Sequence, residues 1–403
     1  MQTIVIVGAA LAGTRAAEAL RDEGFEGRVL LVGDEPGNPY DRPPLSKQYL
    51  GGEWPAEQLD LLSADDLDDL EIERLAGVAA TGLDVAGHRL RLADGTGLGY
   101  DGLVIATGAR PRTAPELAPG TPGVHVLRTL ADSAGLAAAL LPGRRLGVIG
   151  GGFIGCEVAS VATGAGVEVT VFERAGVVMG QVLGERIGRR LQALQESRGV
   201  RVRTGVAVER ITRGPGGLVV HGADTVVDDV LISIGAVPNV EWLDGSGLPV
   251  DGGLLCDPAL FAADDVVVAG DVARLTDADG RPRRRVEHWT HAALQGETAA
   301  ANLLAGRAAA TPFRAVPYVW SDQYEVRVEI LGEPGPADDV EPVLGDDGTA
   351  PCLYVHRRAG QPVALVGIDA QEMVLRARRE LDAAGGWDAS LIDRIVTPAG
   401  SAP

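Results

Sequence analysis

Short apolar runs that stop at glycine recur along this chain, and most of them read as buried strands. Val5-Ile6-Val7 runs into Gly8-Ala9-Ala10-Leu11-Ala12-Gly13, and Val148-Ile149 runs into Gly150-Gly151-Gly152-Phe153-Ile154-Gly155. Each pattern predicts a strand, a glycine-rich turn and the start of a helix. A second apolar strand follows each and ends in acid: Val29 to Val32 leads to Asp34, and Val169 to Phe172 leads to Glu173. The acids fall 21 residues beyond Gly13 and 18 beyond Gly155, close to the ~20 expected of a carboxylate that reaches a nucleotide ribose. Leu103 to Gly108, Leu231 to Gly235 and Val266 to Asp271 are further strands that end at or near glycine.

The rest of the pattern divides the chain. Residues 1–35 read as strand–helix–strand, and a loop rich in proline and charge runs from Pro36 to about Trp54. The acidic stretch Asp65 to Glu73 predicts a solvated helix face. Residues 83–94 alternate as a hairpin, with turn chemistry at Asp94-Gly95. The proline-rich segment 111–122 predicts a crossing between domains, and Thr290 to Leu304 a helix. Glu325 to Ile330 alternates with period two and predicts a half-buried strand. Another strand is expected over Pro362 to Ile368 and a closing helix over Gln371 to Ala384. The glycine turns recur about 140 residues apart, far too long a period for a solenoid. The expectation is an α/β protein with two Rossmann-like dinucleotide-binding domains, one inserted in the other, plus a small C-terminal α+β domain. The segments are 1–112, 113–241, 242–312 (the return of the first domain) and 313–403.

Glycine in these turns is a matter of backbone access. The first makes the tight turn, the second lets a pyrophosphate approach the main chain, and the third lets helix pack on strand. The phosphates then meet free N–H groups at a helix N-terminus carrying about half a positive charge. Ala10 stands in the middle slot of the first turn, whereas the second keeps Gly150, Gly152 and Gly155. Glu173 also bears on the choice of nucleotide. A carboxylate accepts bonds from ribose hydroxyls and repels a 2′-phosphate, which favours NADH over NADPH; the neighbouring Arg174 reads as surface charge.

Composition narrows the classes further. The 403 residues carry a formal charge of −20, which argues against duplex nucleic acid or an anionic membrane as the main partner. No apolar run approaches the ~18 residues of a membrane helix. Met1 to Thr3 lead straight into a strand without a basic leader. Cys156, Cys256 and Cys352 are scattered, with no metal spacing and no Cys-x-x-Cys pair, so each reads as a small buried hydrophobe in a reducing cytoplasm. His288 and His291 flank Trp289 and are expected to be partly buried and hydrogen-bonded. Aromatic residues make up only 4% of the chain, so Ala, Val and Leu must fill the cores.

Beside these turns stand Gly33-Asp34-Glu35, Pro39-Tyr40-Asp41-Arg42-Pro43-Pro44-Leu45-Ser46-Lys47, Ala106-Thr107-Gly108-Ala109-Arg110-Pro111, Ala269-Gly270-Asp271-Val272 and Trp320-Ser321-Asp322-Gln323-Tyr324, in that order. Together they resemble the FAD-dependent ferredoxin reductases of bacterial oxygenase and cytochrome P450 systems, a putidaredoxin-reductase-like group within the apoptosis-inducing-factor-like superfamily. The likeness covers nearly the whole chain. The Arg-Pro-Pro-Leu-Ser-Lys loop and the Trp-Ser-Asp-Gln block are its most specific parts.

The resemblance implies FAD along the first fold, with its pyrophosphate at Gly8, Ala10, Leu11, Ala12 and Gly13 and its adenosine ribose at Asp34 and Glu35. Arg42 would come near the pyrophosphate and Lys47 near the flavin ring. Ala106, Thr107, Gly108 and Arg110 would line the site, and Gly270 and Asp271 would meet the ribityl chain. Trp289 belongs to the same set, and Trp320 would flank the isoalloxazine. NADH would lie on Gly150, Gly152, Phe153, Ile154 and Gly155, its nicotinamide near Gly235. The resemblance further implies that Lys47 and Glu157 meet beside the flavin as the catalytic pair, although 110 residues part them in sequence.

The implied activity is hydride transfer from NADH to FAD, then single-electron steps to a [2Fe-2S] ferredoxin serving a cytochrome P450 or Rieske oxygenase. No side chain need act as nucleophile or general base. A disulfide-reducing relative would need a redox cysteine in the 40–50 loop, where Arg42-Pro43-Pro44 stands instead. Arg281, Arg283, Arg284 and Arg285 read either as a local positive patch for an acidic ferredoxin or as a charged surface loop. Two rivals use the same core: an NADH oxidase or small-molecule reductase, and an NADH-sensing flavoprotein that acts through interactions.

Overall fold

The computed structural model describes residues 1–346 and 351–396 and divides into two compact units. The first comprises Met1–Asp41, Glu57–Arg110 and Val237–Ala315. The second comprises Arg42–Ala56, Pro111–Ala236 and Val316–Pro403. The loop 42–56 thus belongs with the second unit, not with the residues on either side of it.

In the first unit a six-stranded sheet runs in the order Phe261–Ala263, Val266–Val268, Gly102–Ile105, Thr3–Val7, Arg28–Gly33, Ile72–Ala76. All neighbours are parallel except the first pair. Parallel strands need both faces covered, which is why their sequences are continuous apolar runs; Ile4 to Ile6 and Leu103 to Ile105 are wholly buried. Removing each such side chain from water contributes about 1.5–3 kcal/mol. Helix Leu11–Asp22 leaves the central strand, at the point where chain order reverses and ligands of such sheets bind. Helix Trp289–Ala305 packs against it at close range: a Cβ on Gly296 would lie 2.3 Å from the Ala12 carbonyl.

The acidic stretch departs from expectation. Its helix ends at Asp69, and Glu73 lies on strand Ile72–Ala76, paired with Arg28 across the sheet edge at 2.6 Å. The expected hairpin is present and longer: Ala80–Asp84, Arg89–Leu92 and Gly97–Gly99 form a three-stranded antiparallel sheet, with Asp94-Gly95 in its second turn.

The second unit repeats the first architecture. Its five parallel strands run in the order Arg201–Thr204, Glu168–Glu173, Arg145–Ile149, Asp229–Ile232, Val124–His125, and helix Phe153–Gly164 follows the second glycine turn. The same unit holds an antiparallel five-stranded sheet: Tyr318–Gln323, Val326–Gly332, Gln361–Ile368, Cys352–Arg358, Asp339–Leu344. Helices Gln371–Ala383 and Ala389–Val396 close it. The alternating stretch at 325–330 is more buried than its pattern suggested, because its strand has neighbours on both sides and Val328 to Leu331 are all buried.

Candidate functional site

The two glycine turns are built to the same constraints. Gly8 and Gly150 have φ of +114° and +102°, open to glycine almost alone. A Cβ on Gly8 would lie 2.2 Å from the Ala106 carbonyl oxygen, and one on Gly150 would lie 2.1 Å from that of Ser233. The third glycines meet the first: a Cβ on Gly13 would fall 1.9 Å from the Gly8 oxygen, and on Gly155 2.2 Å from the Gly150 oxygen. The third glycine therefore clears the turn's own carbonyl as well as the strand. The middle positions differ. Ala10 (φ −106°) and Gly152 (φ −85°) share an extended backbone that suits either residue, and nothing stands within 4 Å of a Cβ on Gly152. Neither residue caps its helix with a side chain. The first-turn N–H groups of Leu11 to Gly13 and Phe153 to Gly155 thus face the turn with no side-chain acceptor, as a phosphate site requires. Ile154, 41% exposed, stands at the mouth of the second turn.

The acids after the second strands are placed differently. Glu173 ends its strand and accepts from the N–H groups of Gly151 (2.7 Å) and Ala175 (2.6 Å). In the first fold Val32 pairs with Val7 as Phe172 pairs with Ile149, so Gly33 occupies the register of Glu173. A Cβ on Gly33 would lie 2.7 Å from the Ala9 methyl. The pair Ala9/Gly33 thus replaces Gly151/Glu173, and the acid moves one residue on. Asp34 is exposed and makes no hydrogen bond or ion pair among the described residues. Glu35 accepts from the Tyr40 hydroxyl.

The remaining first-unit candidates fall into three separately bonded groups. Thr107 Oγ1 donates to the Asn239 carbonyl (2.9 Å), and Asn239 Nδ2 returns a bond to the Thr107 carbonyl (2.8 Å). Gly108, at φ +63°, accepts from the Asn239 N–H at 3.0 Å. Arg110 is spent on Glu241 (2.5 Å) and Asn239 (3.1 Å) at the surface. Gln295 Oε1 accepts the Gly270 N–H (2.8 Å), which fixes the Gly270-Asp271 turn in front of helix Trp289–Ala305. Trp289 Nε1 donates to Asp41 at 2.6 Å. His288 and His291 depart from expectation: Nδ1 of each meets no partner, and burial holds their pKa values down, to about 4 and about 3. Both are neutral imidazoles at pH 7. Asn239 and Gln295 were not singled out in the sequence, since an amide bonding to main chain leaves no spacing pattern.

In the second unit the residues at 47 and 157 meet. Lys47 Nζ lies 2.7 Å from Glu157 Oε2, with side chains 12% and 5% exposed. Lys47 also donates to the Pro43 carbonyl and to Ser46 Oγ, each at 3.3 Å. Ser46 Oγ donates to the same glutamate oxygen (2.5 Å) and Ser321 Oγ to the other (2.7 Å). A carboxylate this buried needs such donors to offset lost hydration. The two serines were missed as functional residues, although both lie inside the specific blocks of the resemblance. Arg42 Nη1 donates to the Arg128 carbonyl at 2.5 Å. Trp320 is half-buried, with the Arg327 guanidinium 5.5 Å from its ring centre and the Tyr318 ring 6.1 Å away. Gly235 (φ +100°) accepts from the Arg112 N–H at 2.8 Å. Cys156 and Cys256 are buried, and burial pushes both thiols up, that of Cys256 to about 12. No cysteine is in a disulfide, and the described residues hold no cluster suited to a metal ion. In the arginine run, Arg285 is 14% exposed and committed to Glu287 and the Asp271 carbonyl, whereas Arg281, Arg283 and Arg284 are exposed.

Comparison with known proteins matches both parts. The pyridine nucleotide-disulphide oxidoreductase family matches residues 2–296, and the family described as reductase C-terminal matches residues 318–394. Rhodocoxin reductase of Rhodococcus erythropolis is 38% identical over 341 residues, which span 83% of this chain and 79% of that protein. The ferredoxin–NAD(+) reductase component of the biphenyl dioxygenase system of Paraburkholderia xenovorans is 36% identical over 372 residues, 91% of this chain and 87% of the other. Among solved structures, the covalent putidaredoxin reductase–putidaredoxin complex matches with a TM-score of 0.88 at 29% identity, covering 100% of this chain and 99% of that one.

Proposed function

The chain belongs to the pyridine nucleotide-disulphide oxidoreductase family, and from that premise we propose that it is an FAD-dependent NADH:ferredoxin reductase that feeds a cytochrome P450 or Rieske oxygenase. The rhodocoxin reductase, the biphenyl dioxygenase ferredoxin–NAD(+) reductase component and the putidaredoxin reductase structure support this reading over 83%, 91% and 100% of this chain. The observation that carries it is the buried Lys47–Glu157 pair in a chain whose cysteines are isolated and inert. A disulfide reductase would need a redox-active cysteine in the 40–50 loop, where Arg42-Pro43-Pro44 stands instead.

The residues present fit two dinucleotides. Two uncapped helix N-termini with glycine turns, whose backbone admits no larger residue at Gly8 and Gly150, suit two pyrophosphates. The chemistry supplied by bound FAD is acceptance of a hydride from NADH and release of the electrons one at a time. Leu11 to Gly13 would bind its pyrophosphate, Asp34 its adenosine ribose and Asp271 its ribityl chain. Phe153 to Gly155 would bind the pyrophosphate of NADH, and Glu173 its ribose hydroxyls. By the resemblance, Lys47 would place its ammonium at the flavin and would favour the negative charge that hydride transfer brings. Glu157 holds Lys47, and Trp320 would flank the isoalloxazine. Three cysteines without a disulfide fit the reducing cytoplasm.

Steady-state NADH oxidation with ferredoxin, oxygen and ferricyanide as rival acceptors tests this reading. A [2Fe-2S] ferredoxin is expected to accept electrons at least about tenfold faster than oxygen. Reversing Arg281, Arg283 and Arg284 to glutamate should cut ferredoxin reduction by about an order of magnitude and leave ferricyanide reduction intact, because docking is steered by local charge. Fast oxygen reduction with no gain from any ferredoxin would mark an oxidase. A long-lived complex with NAD+ and little turnover would mark an NADH-sensing protein.

A further inference from the structure

The hydrogen bonds behind Glu157 all run one way. Ser321 Oγ donates to Glu157 Oε1 (2.7 Å) and accepts from Gln323 Nε2 (3.3 Å). Gln323 Oε1 accepts from Gln195 Nε2 (3.0 Å), and Gln195 Oε1 accepts from the Tyr324 hydroxyl (3.0 Å). The second N–H of Gln195 is taken by the Cys156 carbonyl (3.2 Å), which fixes the orientation of that amide. A serine has one proton to give, and here it goes to the carboxylate. Ser321, Gln323 and Gln195 are all fully buried or nearly so, so each donor is held by the one behind it and polarises the next. The chain begins at a phenol, and its last acceptor is the carboxylate that holds Lys47.

Tyr324 sits where a tyrosine is costly. Gln323 pairs with Val326, so Tyr324 and Glu325 form a two-residue hairpin loop. Tyr324 has φ +56°, a conformation that hairpins of this length normally give to glycine or asparagine. A bulky residue there is strained. The surroundings hold it: its N–H donates to Ser160 Oγ at 2.6 Å, and the Arg198 guanidinium lies 5.3 Å from the ring centre. Burial pushes the phenol up to about 12, so it keeps its proton and remains a donor.

We propose that Tyr324 is a positioning residue for the catalytic lysine: its hydroxyl anchors the Gln195–Gln323–Ser321 chain that fixes the Glu157 carboxylate, and through it Lys47. The C-terminal sheet thereby sets the electrostatics of the cofactor site without touching the reacting atoms. This rests on the reading of Lys47 as a neighbour of the flavin. The alternative role, a tyrosine that merely packs on Arg198, needs the ring and not the oxygen.

Redox titration of the FAD-loaded protein separates the two. Tyr324→Phe keeps the ring and removes the donor. It should shift the equilibrium about threefold toward oxidised flavin, ~14 mV by the relation of roughly 30 mV per tenfold for two electrons. Thermal unfolding should be little changed. Lys47→Met should give a larger shift in the same direction, and Tyr324→Phe should add nothing in that background. A silent Tyr324→Phe, or an equal shift with and without Lys47, overturns the proposal. No shift from Lys47→Met overturns the reading of Lys47 itself, and the positioning role falls with it.

Discussion

Glu173 spends both carboxylate oxygens on main-chain N–H groups, which hold it at the end of its strand beside the second glycine turn, where the proposed function puts the ribose of NADH. A 2′-phosphate brought there meets a fixed negative charge, and the exposed Arg174 beside it can turn toward solvent or ligand. Glu173→Ala should therefore raise kcat/KM for NADPH relative to NADH by about tenfold, near 1.4 kcal/mol; initial rates with the two nucleotides check this. This acid was legible in the sequence, since its strand and its spacing from Gly155 announce it. Asp34 was legible only by offset. The register shows why it lies one residue late: Ala9 fills the space a side chain on Gly33 would need. The Lys47–Glu157 contact had no local signal, because 110 residues separate the partners, and only the resemblance joined them.

Strands that stop at glycine were the most readable elements, since a buried parallel strand must be apolar throughout and its turn must bring main chain to the ligand. The glycines within one turn do different work, and substitutions should separate them. Gly155→Ala puts a methyl 2.2 Å from a backbone oxygen, so it should cost about 2–4 kcal/mol in thermal or denaturant unfolding. Gly152→Val meets open space and an extended backbone. It should leave unfolding unchanged while raising KM for NADH at least about tenfold, with FAD content intact. Less readable were elements set by long-range pairing. Glu73 looked helical in an acidic run and is in a strand because Ile72–Ala76 pairs along the sheet edge with residues 29–33, Leu30 standing opposite Glu73. The turn at Tyr324 carries none of the glycine or asparagine that marks such loops. Sequence therefore gave no warning of it.

Across the molecule, net charge and local charge point in opposite directions. A formal −20 opposes an acidic partner at long range, yet salt screens that repulsion beyond ~10 Å at 0.1 M, and the charge reversal at the exposed Arg281, Arg283 and Arg284 tests whether local charge outweighs it. Arg285 leaves this patch because its side chain is mostly buried, bonded to the Asp271 carbonyl and Glu287, a burial that composition could not reveal. The repetition of the nucleotide-binding fold was plain from two turns about 140 residues apart. The placement of 42–56 with the second unit was not, since a loop's allegiance depends on packing partners far along the chain. One anaerobic titration addresses the claim beneath all of this. NADH added to the purified, FAD-containing protein should bleach its visible flavin band, and oxidised ferredoxin should then restore it. A polypeptide that stays colourless with FAD, or a flavin band that NADH leaves unmoved, would contradict the account.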